Sequence, residues 1–278
     1  MDPYEFRSWS PAGVKQVIAA GASNFIGLVD ENTVLKFPLV PPNEENIFSS
    51  HGHEYRRKFR EAAVKGLEIE EQILRHLGKH PRVVGLVRKD DNGLLLENMT
   101  NGSVENYLRT NAARTPSNQR LKWAWQAAEG LSYIHNKGVL HCDMSVGNLL
   151  LDNNLEIKIG DFQGRILDHE GSIKLKGDAS ESTMSSMPRP DANFCNERTD
   201  MFALGTAIYV MMSDQLPFPD LDPAEDEHEI QRRFRERDFP PLETIQAGFV
   251  VRKCWMGNYL TASEIVEDIR CMVDHSLD

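Results

Sequence analysis

Cysteine is scarce in this chain, and the few cysteines form no pattern. Cys142, Cys195, Cys254 and Cys271 show neither metal-ligand nor disulfide-framework spacing. Reduced thiols in an intracellular compartment are the expectation. Positive charge is in deficit: 31 Lys and Arg face 42 Asp and Glu, a formal net charge of -11. That balance argues against nucleic acid and anionic membrane surfaces as partners. Long apolar runs are missing too. The longest lies in "ALGTAIYVMM", far short of the ~20 residues of a membrane span. The opening "MDPYEFRSWS" lacks the basic-then-apolar pattern of a secretory signal. A cytoplasmic or nuclear protein is expected. There are no internal repeats. What is present is an ordinary globular composition, 40% hydrophobic and 26% charged over 278 residues, which suits a two-lobed domain with a real core.

Turn signals divide the chain. "VIAAGASNFIGLV" followed by "TVLKFPLV" predicts three strands, broken at "GASN" and "DEN". "PPNEENIFSSHGH" predicts a polar linker, and a helical pattern runs from about Glu54 to Leu77 and ends near Gly78. "RVVGLV" and "GLLLEN" predict two more strands around the turn "KDDNG". The remainder is mostly helical. "GSVENYLRTN" predicts a short helix with Ser103 as N-cap. "SNQRLKWAWQAAEGLSYIHNKG" predicts a long one, capped near Ser117 and stopped by Gly138. Residues 168–198 are rich in Ser, Asp and Pro and show no clear core. "TDMFALGTAIYVMMS" is apolar nearly all round, hence a buried helix. "PAEDEHEIQRRFRER" predicts a charged, solvated helix, and "TASEIVEDIRCMVDH" an amphipathic one capped by Thr261.

The chemistry concentrates in "VLHCDMSVGNLLL". The spacing His141, Asp143, Asn148 is weak alone, since turn residues match it by chance. Its context is stronger. An apolar run, a "DNN" turn and a strand alternating Leu155, Ile157 and Ile159 form a hairpin that ends at Asp161. Such a hairpin brings Asn148 and Asp161 together as two oxygen ligands, which suits a hard cation such as Mg²⁺. Asp143 is expected at the edge of the same cleft, where a carboxylate can accept a hydroxyl proton or orient the hydroxyl.

Two residues of the first hundred join this picture. Lys36 shares a strand face with Val34, because side chains alternate. Ala63, Leu67, Glu70, Leu74 and Leu77 recur at helical spacing and form one face with Glu70 in its middle. A carboxylate in an apolar stripe is costly unless paired. Lys36 is its natural partner, while Glu68 and Glu71 point elsewhere and are expected in solvent.

These residues carry a resemblance to the protein kinase superfamily over nearly the whole chain. "HCDMSVGN" resembles the kinase catalytic loop and "GDFQG" the DFG motif. "TDMFALG" resembles the helix whose aspartate, here Asp200, braces that loop. "RKCWMGNYLTASEI" resembles the last helical segment of tyrosine-kinase-like kinases, and the "DFQGR" variant is similar to kinase-like proteins of filamentous fungi. The resemblance implies a bilobal α+β fold. Residues 1–97 would form an N-lobe of small antiparallel sheet and one long helix, residues 98–102 a hinge, and residues 103–278 a larger helical C-lobe. It implies ATP and Mg²⁺ as cofactors and a protein or peptide hydroxyl, on Ser/Thr rather than Tyr, as acceptor. Asp143 would be the catalytic base, Asn148 and Asp161 the metal ligands, and Lys36, held by Glu70, the phosphate-binding lysine. Ala19, Gly21 and Asn24 stand at the phosphate-loop glycine positions, where only Gly21 matches. Leu96 would guard the adenine pocket, backbone groups of Glu97 and Met99 would bond adenine, and Ile26, Val34 and Leu150 would sandwich the base.

The departures are specific. Cys142 replaces an arginine that binds activation-segment phosphate in many kinases. Ser145 and Gly147 stand where serine/threonine and tyrosine kinases place a cation near the γ-phosphate. Arg165, Lys174 and Lys176 are candidates to replace it. "MPRP" stands where "APE" is usual, putting Pro190 at the glutamate, and its arginine partner is missing near Tyr259. Losing both members of a buried pair is self-consistent. A pseudokinase, or a kinase-like enzyme acting on a small molecule, are the alternative readings.

Overall fold

The computed structural model describes residues 9–42 and 49–275. The chain divides into two compact units, Met1–Lys79 with Val84–Asn98, and His80–Val83 with Met99–Asp278.

The first unit is a sheet and one helix. Strands β1 (Gln16–Ala20), β2 (Asn24–Asp30), β3 (Thr33–Pro38), β4 (Leu86–Asp90) and β5 (Gly93–Glu97) form an antiparallel sheet of order β1-β2-β3-β5-β4. Alternation along β3 sends Leu35 and Phe37 into a core with Phe25, Leu39 and Leu95, closed by Trp9, Val14 and Phe59. The Trp9 ring meets Phe37 edge-on at 5.2 Å. Its Nε1 donates to the Pro38 and Leu39 carbonyls, so the indole is satisfied where it is buried. Helix α1 (Ser50–Leu77) begins upstream of the expected Glu54, because the Ser49 side chain accepts from Gly52 N at 3.2 Å and caps it. The helix therefore takes up the end of the expected linker, whose residues 43–48 lie outside the described residues.

The second unit holds α2 (Val104–Asn111), α3 (Ser117–Asn136), β6 (Val139–Leu140), β7 (Leu149–Leu151), β8 (Ile157–Ile159), β9 (Arg165–Leu167), β10 (Ile173–Lys176), α4 (Glu197–Ser213), α5 (Glu227–Glu236), α6 (Gly248–Trp255) and α7 (Ala262–His275). Helix α3 packs on α4 and α7. Its Trp123 is wholly buried and donates Nε1 to the Leu155 carbonyl at 2.8 Å, which ties the helix to the β7–β8 turn. Ser103 caps α2 as expected, accepting from Asn106 N. Ser117 does not cap α3: Pro116 holds that position and Ser117 is the first helical residue. Asn196 caps α4 in a reciprocal box with Thr199.

Residues 80–83 go with the second unit, although the sequence suggests an N-terminal lobe running to residue 97. The reason is local. Arg82 bridges Glu129 and Glu156, each at 3.0 Å, and Val83 forms a parallel bridge to Ile159. Among the described residues no helix is long and apolar enough to cross a membrane.

Candidate active site

Strand β3 and helix α1 place Lys36 and Glu70. Ala63, Leu67, Leu74 and Leu77 of α1 are all buried, and Glu70, 1% exposed, sits among them. Its Oε2 accepts from Lys36 Nζ at 2.6 Å, and the lysine side chain is 8% exposed. Two charges this dry are tolerable only as a pair. Glu71, expected in solvent, is instead half-buried, pairing with Arg75 at 2.9 Å and Lys89 at 3.3 Å.

In the second unit the β7–β8 hairpin forms as read, with Leu149 opposite Ile159 and Leu151 opposite Ile157. The connection is closed by Asp152, whose Oδ1 accepts from Asn154 N and Glu156 N. The hairpin returns the chain to its start. Gly160 N donates to the Asn148 carbonyl at 2.9 Å, so Asp161 follows a residue bonded directly to Asn148. Asn148 Nδ2 donates to Asp143 Oδ2 at 3.0 Å and to the Asp143 carbonyl at 2.8 Å. Asn148 Oδ1 and the Asp161 carboxylate, whose Oδ1 also accepts from Gln163 Nε2 at 3.3 Å, are hard oxygen atoms of the kind that suits Mg²⁺. Asp161 adopts a left-handed φ of 58°, a conformation uncommon outside glycine. Phe162 beside it is wholly buried and meets the His141 ring edge-on at 5.2 Å. His141 Nδ1 accepts from Asp143 N, so its proton is on Nε2, which donates to the Gly160 carbonyl at 3.0 Å. One imidazole thus joins the Asp143 loop to the strand that delivers Asp161.

Burial pushes the Asp143 carboxyl up to about 6. The neighbouring His141 and the Asn148 hydrogen bond oppose this, while the Asp161 and Asp200 charges add to it. A base of that strength is still ionised at pH 7 and better matched to proton abstraction than a free aspartate.

Asp200, in the first turn of α4, lies beneath the loop and is fully buried. Its Oδ2 accepts from His135 Nε2 at 2.9 Å and His141 N at 2.8 Å, and its Oδ1 from Cys142 N at 2.8 Å. Burial alone raises this carboxyl. The bond from His135, the adjacent histidines and the His141 N–H together hold it below the usual carboxylate range.

A family model described as protein tyrosine and serine/threonine kinase matches residues 54–265. The chain belongs to the protein kinase superfamily. It is 25% identical over 202 residues to serine/threonine-protein kinase CTR1 of Arabidopsis thaliana, covering 67% of this chain and 24% of that protein. It is 29% identical over 178 residues to serine/threonine-protein kinase SIK1 of Mus musculus, covering 60% of this chain and 22% of that protein. The chain thus spans about a quarter of the length of the curated relatives it matches.

Other kinase positions are placed as follows. Ala19 and Gly21 are exposed in the β1–β2 hairpin, where Gly21 N donates to the Asn24 carbonyl at 2.8 Å. A Cβ on Gly21 would meet only that carbonyl, at 3.7 Å, so the hairpin's own packing does not demand glycine there. Asn24 is buried, and its Oδ1 is without a hydrogen-bond donor. Val34 and Leu96 are buried and directly paired on β3 and β5, while Ile26 on β2 is half-buried. Glu97 Oε2 accepts from Gly85 N. In the second unit Met99 is buried and its carbonyl accepts from Gly102 N, and Leu150 is half-buried opposite Lys158.

The activation segment differs most from expectation. Residues 168–198 do hold structure. Strand β10 pairs with β9, and Met184 and Ser185 are buried. Glycine makes the close approach possible: a Cβ on Gly164 would lie 2.0 Å from the Leu140 carbonyl, and one on Gly177 1.9 Å from the Gln163 carbonyl. Arg165 is not available to replace the missing cation, since it is buried and donates Nη2 to the Asn193 carbonyl at 2.6 Å. Lys174 and Lys176 are exposed on β10. The joint expected near Tyr259 is rebuilt. Tyr259 is buried and donates to Asp268 Oδ2 at 2.7 Å, and Lys253 Nζ pairs with the same oxygen at 2.6 Å. A second ion pair, Glu181 with Arg189 at 2.8 Å, lies within the segment itself and escaped the sequence reading. No periodicity marks either residue. His135 was missed as well, being a lone histidine on an otherwise apolar helix face.

Burial pushes Glu181 up to about 7, outweighing the Arg189 guanidinium that pairs with it at 2.8 Å. A folded-state value above the unfolded one means the folded form holds an extra proton between about pH 4.5 and 7. Stability from this group is therefore lost as pH rises through that window. Glu181→Gln removes the dependence. Urea midpoints should show the variant gaining on the parent by about 1–3 kcal/mol between pH 5 and pH 8. An equal difference at both pH values would contradict the assignment.

Proposed function

We propose that this chain is an ATP- and Mg²⁺-dependent protein kinase that transfers the γ-phosphoryl group to a Ser or Thr hydroxyl of a protein or peptide. The observation that carries this reading is the hold on Asp143: Asn148 Nδ2 fixes its Oδ2, His141 Nδ1 its backbone N–H, and Asp200 the residues before it. The carboxylate then presents Oδ1 to an incoming hydroxyl and takes its proton as the phosphoryl group leaves. Lys36, held by Glu70, binds the α- and β-phosphates. Asn148 and Asp161 would hold Mg²⁺, which when bound neutralises charge on the transferring group. The serine/threonine preference rests on the names of the relatives.

A second reading, a pseudokinase that binds nucleotide without useful transfer, is favoured by one observation. A Cβ on Gly147 would lie 3.4 Å from Glu105 Oε2. A carboxylate stands where tyrosine kinases place an arginine, and charge there opposes transfer. Intact-mass measurement after incubation with Mg-ATP separates the two. The kinase reading expects phosphate on the protein, lost in Asp161→Ala. Nucleotide-dependent thermal stabilisation with no phosphate on any protein or peptide acceptor would establish the second reading instead.

A further inference from the structure

The turn between Asp143 and Asn148 has an opening at Gly147. A Cβ on that residue would meet two atoms within 4 Å, Glu105 Oε2 at 3.4 Å and Ser145 Oγ at 3.5 Å. A carboxylate and a hydroxyl therefore face one small space that glycine leaves unfilled. Gly147 and Ser145 are half-buried, and Glu105 is exposed at its edge. Backbone bonds hold the three residues in place. Glu105 N donates to the Val146 carbonyl at 3.1 Å, and Asn148 N to the Ser145 carbonyl at 3.0 Å. Leu151 N donates to the Gly102 carbonyl at 2.8 Å, and Ser103 caps α2, which fixes Glu105 in the first turn of that helix. Among the described residues no Lys or Arg forms an ion pair with the Glu105 carboxylate, Arg109 one turn further along α2 included.

The acidic groups around this turn share one sign of charge. Asp143 begins it, Asp200 accepts from the two N–H groups before it, and Asp161 follows Gly160, whose N–H donates to the Asn148 carbonyl. Glu105 adds a fourth carboxylate. Neither Ser145 nor Gly147 carries a cation, and Arg165 is engaged with the Asn193 carbonyl. A phosphoryl group in transfer spreads negative charge over its oxygens, so carboxylates alone oppose it. Mg²⁺ at Asn148 and Asp161 would answer part of that charge, and Glu105 is left to another cation. A guanidinium or ammonium group suits the opening, because it brings only donors and both facing oxygens accept. Half-burial of the seat makes such a pair stronger than one in open solvent.

We propose that the acceptor is a basic peptide, one arginine or lysine side chain of which seats over Gly147 between Glu105 and Ser145. This rests on the kinase reading and names the substrate class of the same site. The seated cation forms and breaks no covalent bond. The γ-phosphoryl group passes from the β-phosphate oxygen to the acceptor hydroxyl oxygen, the hydroxyl proton goes to Asp143, and the cation offsets charge on the transferring oxygens. The substrate thus supplies what Ser145 and Gly147 do not. Glu105 then selects the acceptor instead of opposing transfer. An acidic side chain at the same position of the peptide would set like charges together and is rejected.

Binding tests this apart from transfer. Fluorescence anisotropy measures the affinity of labelled serine peptides for the full chain, with Mg²⁺ and a non-hydrolysable ATP analogue present. The peptides carry arginine, glutamine or glutamate at each position flanking the serine in turn. Arginine at one position should tighten binding about tenfold over glutamine, and Glu105→Gln should erase that gain. Glu105→Arg should invert the order and favour glutamate there. Gly147→Arg fills the seat from within the chain, so it too should cancel the preference for arginine, while circular dichroism confirms the fold. Glu264→Gln, an equal loss of charge in α7, should keep the gain. Equal affinity for all three peptide sets would overturn the proposal. So would a gain that survives Glu105→Gln, or one lost equally in Glu264→Gln, which would mean general attraction to an acidic protein. Turnover of the same peptides with Mg-ATP is read separately. An arginine peptide bound through Glu105 that stays unphosphorylated supports the seat and contradicts the kinase reading.

Discussion

Asp143→Asn lowers turnover by about a thousand-fold and leaves nucleotide affinity within about twofold. The geometry makes this a clean test. An asparagine at 143 can keep its carbonyl oxygen toward Asn148 Nδ2, which now bonds Asp143 Oδ2 at 3.0 Å. The backbone bonds from Asp143 N to His141 and from Asn148 to the Asp143 carbonyl do not involve the replaced atom. The loop therefore holds its shape, and the amide presents N–H groups to the acceptor hydroxyl where a base is needed. Single-turnover kinetics with saturating Mg-ATP, beside a nucleotide titration, separate chemistry from binding. A variant that keeps a tenth of parental turnover would remove Asp143 from proton transfer and leave only a positioning role.

The parts of this site that could be read in advance are those that local periodicity marks. Glu70 stands out because it interrupts an apolar helical stripe, and the structure gives it 1% exposure and a lysine at 2.6 Å. Lys36 follows from strand alternation beside Val34. The β7–β8 hairpin follows from alternating Leu and Ile around an Asp-Asn-Asn turn, and Asp161 then falls beside Asn148 because a hairpin returns to its start. The activation segment carries no such mark. Its order comes from glycines pressed against carbonyls, from the Glu181–Arg189 pair, and from Arg165 reaching Asn193. Each is a contact between residues with no shared period, in a stretch whose composition reads as loop. The start of α1 was displaced for a simpler reason: a serine cap lay inside a segment that proline and asparagine made look like linker.

Asp200→Asn costs about 2–4 kcal/mol of stability although it conserves size and shape. The Asp200 carboxylate accepts three hydrogen bonds. Oδ2 takes His135 Nε2 and His141 N, and Oδ1 takes Cys142 N. An asparagine supplies one oxygen and one amide nitrogen. Placing the nitrogen at Oδ1 sets it against Cys142 N–H. Placing it at Oδ2 sets it against both His135 and His141. Either choice leaves at least one buried donor facing another, at a position with no solvent access. Alanine removes the clash but orphans all three donors, and the expected loss is about 3–5 kcal/mol. Urea unfolding of the full chain and both variants measures the difference. The slope should stay constant if only stability changes. A loss under about 0.5 kcal/mol for the asparagine variant would mean the three bonds are not held as drawn. Turnover should fall in the same variant. Cys142 and Asp143 are adjacent, so a loop that lifts off Asp200 carries the base away from Asn148. Asp143→Asn and Asp200→Asn then differ in kind: the first removes the proposed base from an intact loop, and the second removes the support from an intact carboxylate.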